Sequence, residues 1–234
     1  MNSKYVALKD RVAHFYSMQS KKISIRVSDS LGSVSGEVLA ATGMKALYVF
    51  AHGAGAGMNH PFMTKLSQAL AEQGIGSLRY NFPYMENGKK RPDAPAIAQR
   101  TVIRAVETAI ELFTGIPLLA GGKSFGGRMT SHAASASFDA AVKGLVFVGF
   151  PLHAAGQPGT GRAEHLANVK IPMLFLQGTR DALAQIDLIR QVCAKLPAAT
   201  LREFEGADHS FKAGKQDLIP ALADAVAAWS SKVL

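Results

Sequence analysis

The chain has little cysteine and no long apolar run. Cys193 is its only cysteine, so no internal disulfide can form, and this agrees with a reducing compartment. No apolar stretch approaches the ~20 residues that a membrane-spanning helix needs. Charged residues, among them Lys4, Lys9 and Asp10, stand where a secretory signal would have its apolar centre. We therefore expect a cytoplasmic protein without membrane contact.

Acidic residues and metal-ligand patterns are also scarce. The chain has 26 Lys and Arg against 17 Asp and Glu, a net charge of +9. The basic residues are scattered, and only 89–91 form a run, which favours a solvated surface over a nucleic-acid partner. No His, Cys or Asp grouping has ligand spacing, so we expect no metal and no cofactor.

Apolar runs alternate with segments that predict helices, among them 61–72, 127–137 and 219–233. Continuous apolar runs at 46–51, 116–120, 144–149 and 172–176 are typical of strands buried on both faces of a parallel sheet. The pattern predicts an α/β fold with a mainly parallel, doubly wound sheet of about seven or eight strands. Two alternating segments, 23–27 and 34–40, predict an N-terminal antiparallel hairpin. We expect residues 1–22 to be an extension, helical or loose, and 23–234 to be a single domain.

One glycine-rich motif follows the apolar run at 116–120. Gly122-Lys123-Ser124-Phe125-Gly126 has the spacing G-x-S-x-G, which predicts a sharp turn from strand to helix with a serine at its apex. The flanking glycines keep side chains out of the crossing. Ser124 is the candidate nucleophile, and the N–H of Phe125 can point at a developing oxyanion.

Two further strand ends supply the partners that a serine nucleophile needs. Asp181 follows the run at 172–176 and is the candidate acid, while His209 follows a strand at 200–204 and is the candidate base. Asp208 is a rival acid, but in an extended stretch its side chain points away from that of His209. We interpret Asp208 as a turn residue.

These motifs, together with His52-Gly53-Ala54-Gly55, resemble the α/β-hydrolase superfamily near its dienelactone-hydrolase-like branch. The chain order Ser124, Asp181, His209 is that of an α/β hydrolase. The resemblance implies a Ser-His-Asp triad and a second oxyanion donor, the N–H of Ala54. Dienelactone hydrolases proper have cysteine at the elbow, where this chain has Ser124.

The segment between the strands at 144–149 and 172–176 is too short for a large cap domain. We therefore expect an open cleft for a small acyl substrate, walled by Met58, His60, Tyr84 and Met85, with His153 in a loop that faces the site. The main hypothesis is a carboxylesterase-like serine hydrolase. The alternatives are a non-catalytic interaction module that keeps the fold, or the same triad acting on a peptide, thioester or carbon–carbon bond. The oligomeric state is left open.

Overall fold

The computed structural model describes residues 20–234, which form one mixed β-sheet with helices on both faces. Its strands are β1 (Ser20–Ser28), β2 (Gly32–Leu39), β3 (Ala46–Ala51), β4 (Ile75–Tyr80), β5 (Leu118–Lys123), β6 (Val142–Val148), β7 (Met173–Gly178) and β8 (Ala199–Phe204). Its helices are α1 (Pro61–Glu72), α2 (Pro83–Glu86), α3 (Pro95–Leu112), α4 (Phe125–Ala136), α5 (Ile186–Ala194) and α6 (Ile219–Val233), with a 3₁₀ helix at Gly161–Asn168. The predicted extension lies outside the described residues, apart from 20–22, which belong to β1.

The eight strands lie in the order β1-β2-β4-β3-β5-β6-β7-β8. β2 pairs antiparallel with both β1 and β4, whereas all neighbouring pairs from β4 to β8 are parallel. The predicted α/β fold with a mainly parallel sheet and an N-terminal hairpin is confirmed. Parallel strands bring their carboxyl ends to one edge, where ligands collect in such sheets.

Helices cover both faces of the sheet, which explains the continuous apolar runs. Every residue of β3, β4 and β7 is buried. The core on one face contains residues of α1 and α6, and the core on the other contains residues of α3, α4 and α5. A strand buried on both faces has no need of polar alternation.

The elbow is tighter than the sequence predicts. β5 continues through two glycines to Lys123, because Gly121 and Gly122 pair with Phe50 and Ala51 through the backbone alone. α4 begins at Phe125 rather than at Gly127. Ser124 alone therefore forms the turn between strand and helix.

The segment between β6 and β7 contains only the 3₁₀ helix, so the predicted lack of a large cap is confirmed. Across residues 20–234 no helix is both long and apolar enough to cross a membrane. The same part of the chain contains no group of three or more His, Cys, Asp or Glu side chains that could hold a metal ion.

Candidate active site

Ser124 occupies a strained backbone position at the N-terminus of α4. Its φ of 49° and ψ of −115° lie where residues other than glycine rarely occur. The crossing with β3 leaves no room for side chains: a Cβ at Gly126 would lie 2.5 Å from the carbonyl oxygen of His52. Strand, turn and helix can therefore approach this closely only because glycine stands at that position.

A continuous chain of hydrogen bonds joins the three predicted site residues. Ser124 Oγ lies 2.8 Å from His209 Nε2, and His209 Nδ1 lies 2.7 Å from Asp181 Oδ2. Because an ionised carboxylate can only accept, the Nδ1 proton is donated to Asp181, which leaves Nε2 free to accept from the serine hydroxyl. The structure thus brings together residues that lie up to 85 positions apart in the sequence.

The Asp181 side chain is fully enclosed and held by three donors. Besides His209, Gln177 Nε2 donates to Oδ2 at 2.6 Å and the Leu183 N–H donates to Oδ1 at 2.8 Å. Asp208 has other partners: its Oδ1 accepts the backbone N–H groups of residues 210 and 212. The interpretation of Asp208 as a turn residue is confirmed.

Lys123 precedes Ser124 and packs beneath the loop that carries His209. Its Nζ donates to the His209 carbonyl at 2.5 Å and lies 5.4 and 5.9 Å from the ring centroids of Phe211 and Phe62. Burial lowers the pKa of the Lys123 amine to about 8, against the opposing effect of Asp181. A positive charge therefore lies beside the base at neutral pH.

The loop after β3 is fixed by two buried side chains, His52 and Arg79, and by the half-buried Asn81. His52 is fully buried; its Nδ1 donates to the Gly53 carbonyl at 2.8 Å, and its Nε2 accepts the Phe82 N–H at 3.1 Å. Burial lowers the pKa of His52 to about 4, so the ring is neutral, and its two hydrogen bonds shape the loop. Arg79 Nη1 and the Asn81 side chain bind the backbone of Met58 and hold the far end of the loop.

Two backbone N–H groups are available at this rim. Within residues 20–234, neither the Ala54 N–H nor the Phe125 N–H donates to another protein group. The Phe125 N–H is also at the positive end of the α4 dipole, which favours negative charge. Both N–H groups can donate to an oxyanion without breaking an existing bond.

A cavity of about 190 Å³ lies beside Ser124, and Ala54, His60, Lys123 and His209 are among the residues that line it. Of the predicted substrate-binding residues, His60 alone lies in this lining. The other four, Met58, Tyr84, Met85 and His153, are not among the lining residues.

Those four residues make contacts inside the protein. The Tyr84 hydroxyl donates to the Gly53 carbonyl at 3.4 Å, and Met85 packs against the apolar core. The buried His153 ring accepts the Gln185 N–H at 3.0 Å, which ties the loop after β6 to the loop that carries Asp181. Contact of these four side chains with substrate stays a prediction.

Lys123 and Gln177 were not predicted to have roles at the site. Gln177 is the penultimate residue of β7, and its side chain meets Asp181 only because the chain turns back after Gly178. Lys123 lies inside the glycine-rich motif, and only its charge, directly before the candidate nucleophile, could have indicated a role at the site.

Residues 44–229 match the family model described as an alpha/beta hydrolase domain. One similar solved structure is the dienelactone hydrolase of Anabaena variabilis, with 19% identity and a TM-score of 0.76 over 92% of this chain and 98% of that one. A second is XC6422 of Xanthomonas campestris, a serine hydrolase without a lid, with 20% identity and a TM-score of 0.72 over 92% of this chain and 96% of that one. A third is the esterase domain of a Rhodothermus marinus protein, with 17% identity and a TM-score of 0.70 over 92% of this chain and 99% of that one. At these identities the three structures show a shared fold. With most of its length matched by the family model, this chain belongs to the α/β-hydrolase family.

Proposed function

We propose that this protein is a serine hydrolase that cleaves small carboxylic esters through an acyl-enzyme. The observation that carries the proposal is the hydrogen-bonded chain from Ser124 through His209 to Asp181, which opens onto a cavity. Three similar structures, named as a dienelactone hydrolase, a serine hydrolase and an esterase domain, support the same reaction class.

The geometry supports the following sequence of steps. Ser124 Oγ attacks the ester carbonyl carbon while its proton passes to His209 Nε2, and Asp181 stabilises the imidazolium that forms. The carbonyl oxygen becomes an oxyanion that the N–H groups of Phe125 and Ala54 bind, each contributing about 3 kcal/mol in the transition state. The C–O bond to the leaving alcohol breaks as His209 returns the proton to that oxygen. Water then repeats the cycle on the acyl-enzyme and releases the acid.

The cavity size favours a small acyl group. At about 190 Å³ it falls below the roughly 300–1,000 Å³ of drug-sized ligand pockets. With no large cap between β6 and β7, the alcohol part of the ester can extend into solvent. We therefore propose short-chain esters, and a panel of ester, thioester and peptide substrates would rank the bond types.

The test is hydrolysis of p-nitrophenyl acetate combined with labelling by a fluorophosphonate probe. We expect Ser124→Ala to abolish both. Ser210→Ala is the matched control, because Ser210 also lines the cavity but its side chain has no bond to His209. Lack of labelling in the folded wild-type protein would contradict the proposal and favour a non-catalytic interaction module.

A further inference from the structure

Four basic side chains gather where α4 meets the 3₁₀ helix. Arg128 and His132 are four residues apart on α4 and share one face of it. Arg162 and His165 are three residues apart on the 3₁₀ helix, where such a spacing places side chains directly above one another. The rings of His132 and His165 stack with centroids 3.6 Å apart and an interplanar angle of 14°. This stacking joins the two faces, each of which carries one arginine.

The histidine pair is held in place from beneath. Ser131 is buried, and its Oγ lies 2.7 Å from His165 Nε2 and donates to the Arg128 carbonyl at 2.8 Å. Because the hydroxyl proton is used on that carbonyl, the oxygen accepts the His165 Nε2 proton. The arrangement therefore fixes the His165 ring and leaves the opposite nitrogen, Nδ1, to take up a proton.

The cluster has no protein counter-charge in the described part of the chain. No carboxylate within residues 20–234 lies within 4.0 Å of the Arg128 or Arg162 guanidinium. The hydrogen bond that Arg162 makes is to a neutral group, the carbonyl of His153, at 3.1 Å. Glu164 lies on the same 3₁₀ helix, but it is exposed and forms no ion pair with either arginine. Like charges are thus held together without compensation.

The cluster lowers the pKa values of three of these side chains. Burial and, secondly, the charge of Arg162 lower the pKa of Arg128. Burial and then Arg128 lower the pKa of His132. Burial, His132 and Arg128 together lower that of His165 to about 4. An anion placed among these groups would favour their charged forms and so raise these pKa values.

We infer that Arg128, His132, Arg162 and His165 form a binding site for an oxyanionic group, a carboxylate or a phosphate, of a small ligand. All four side chains are partly exposed and can be reached from solvent. Two guanidinium groups provide the planar pairs of donors that such anions accept. Arg128 lies four residues beyond Ser124, about 6 Å along the helix axis, so the site lies next to the elbow without using its hydroxyl. The inference does not depend on hydrolase activity.

Sulfate is the probe for the first test, since its charge is constant over the pH range in which the histidines titrate. The histidine Hε1 signals are followed by NMR against pH, with sodium sulfate or with sodium chloride at equal ionic strength. We expect sulfate to raise the apparent pKa values of His132 and His165 by about one pH unit, in a saturable way. Acetate and inorganic phosphate, titrated at neutral pH, distinguish a carboxylate site from a phosphate site.

Three variants determine where the anion binds. Arg128→Gln and Arg162→Gln are each expected to weaken sulfate binding at least about tenfold, and either one suffices if the other does not fold. Arg202→Gln is the matched control, because it removes one positive charge from an exposed position on β8. The inference is overturned if sulfate leaves both histidine pKa values unchanged, or if Arg202→Gln weakens binding as much as Arg128→Gln.

Discussion

Replacing Asp181 with asparagine keeps the shape of the side chain but turns an acceptor into a donor at one position. The Oδ1 atom can still accept the Leu183 N–H. At the position of Oδ2, the new amide group faces the Nδ1 proton of His209, which was 2.7 Å from an acceptor. The imidazole therefore shifts its proton to Nε2, the nitrogen that has to receive the proton of Ser124.

The expected loss follows from this change of tautomer. With a proton already on Nε2, His209 cannot act as the base, and kcat should fall by about 10⁴, or about 5.4 kcal/mol of transition-state stabilisation. The fold should tolerate the substitution. Within residues 20–234 the buried Gln177 Oε1 has no hydrogen-bond partner, so rotation of this amide supplies an acceptor for the new donor. We expect the free energy of unfolding to change by only about 1 kcal/mol.

The assay is steady-state hydrolysis of p-nitrophenyl acetate, with urea unfolding measured in parallel. Asp208→Asn is the matched control: it removes the same charge next to His209, but its Oδ1 keeps the backbone bonds of its turn. A kcat of Asp181→Asn within tenfold of wild type would refute the tautomer argument. An equal loss in Asp208→Asn would show that charge alone matters.

Three further experiments test the packing of the site and of the core. The Lys123 ammonium loses solvation on folding, a penalty that is full below its folded pKa of about 8 and absent above 10.5. Lys123→Met removes this penalty together with one hydrogen bond, so the free energy of unfolding at pH 7 should rise by about 2 kcal/mol in net terms. Near pH 10.5, urea unfolding should show no such increase in stability. Tyr48→Phe should lower the free energy of unfolding by about 1 kcal/mol, because the Tyr48 hydroxyl donates to a backbone carbonyl at 2.8 Å. Tyr80→Phe should leave the free energy of unfolding unchanged, because the buried Tyr80 hydroxyl has no partner in the described chain. Equal effects of the two substitutions in chemical denaturation would contradict this reasoning. Gly126→Ala should abolish fluorophosphonate labelling by displacing the elbow, whereas Gly159→Ala, with open space around it, should label normally.

The sequence predicts best what depends on burial along the chain. The strand at 46–51 has the predicted bounds, because a continuous apolar run marks it. The helices at 61–72 and 219–233 also have the predicted bounds, because apolar periodicity and a proline in the first turn coincide there. The predicted end of β5, residue 120, was wrong by three residues, because the strand continues to Lys123. Its glycines resemble a turn in sequence, yet strand pairing needs only the backbone.

The candidate site also has a part that the sequence predicts and a part that it does not. Ser124, Asp181 and His209 each follow a strand, and parallel strands bring such residues to one edge, so their proximity could be predicted. The bonds from Lys123 to a carbonyl and from Gln177 to a carboxylate depend on how two loops pack in space. The same is true of the contact between His132 and His165, which joins segments that no periodicity relates.

The sheet order has a consequence for how the protein loses activity. Among residues 20–234, β8 is an outermost strand paired with β7 alone, and the loop after it carries His209, whereas Ser124 follows β5 in the interior of the sheet. An edge element opens at a lower free energy than the centre of the same sheet. Partial detachment of β8 on heating would remove the base from the nucleophile while the rest of the molecule stayed folded, so inactivation would precede the cooperative melt.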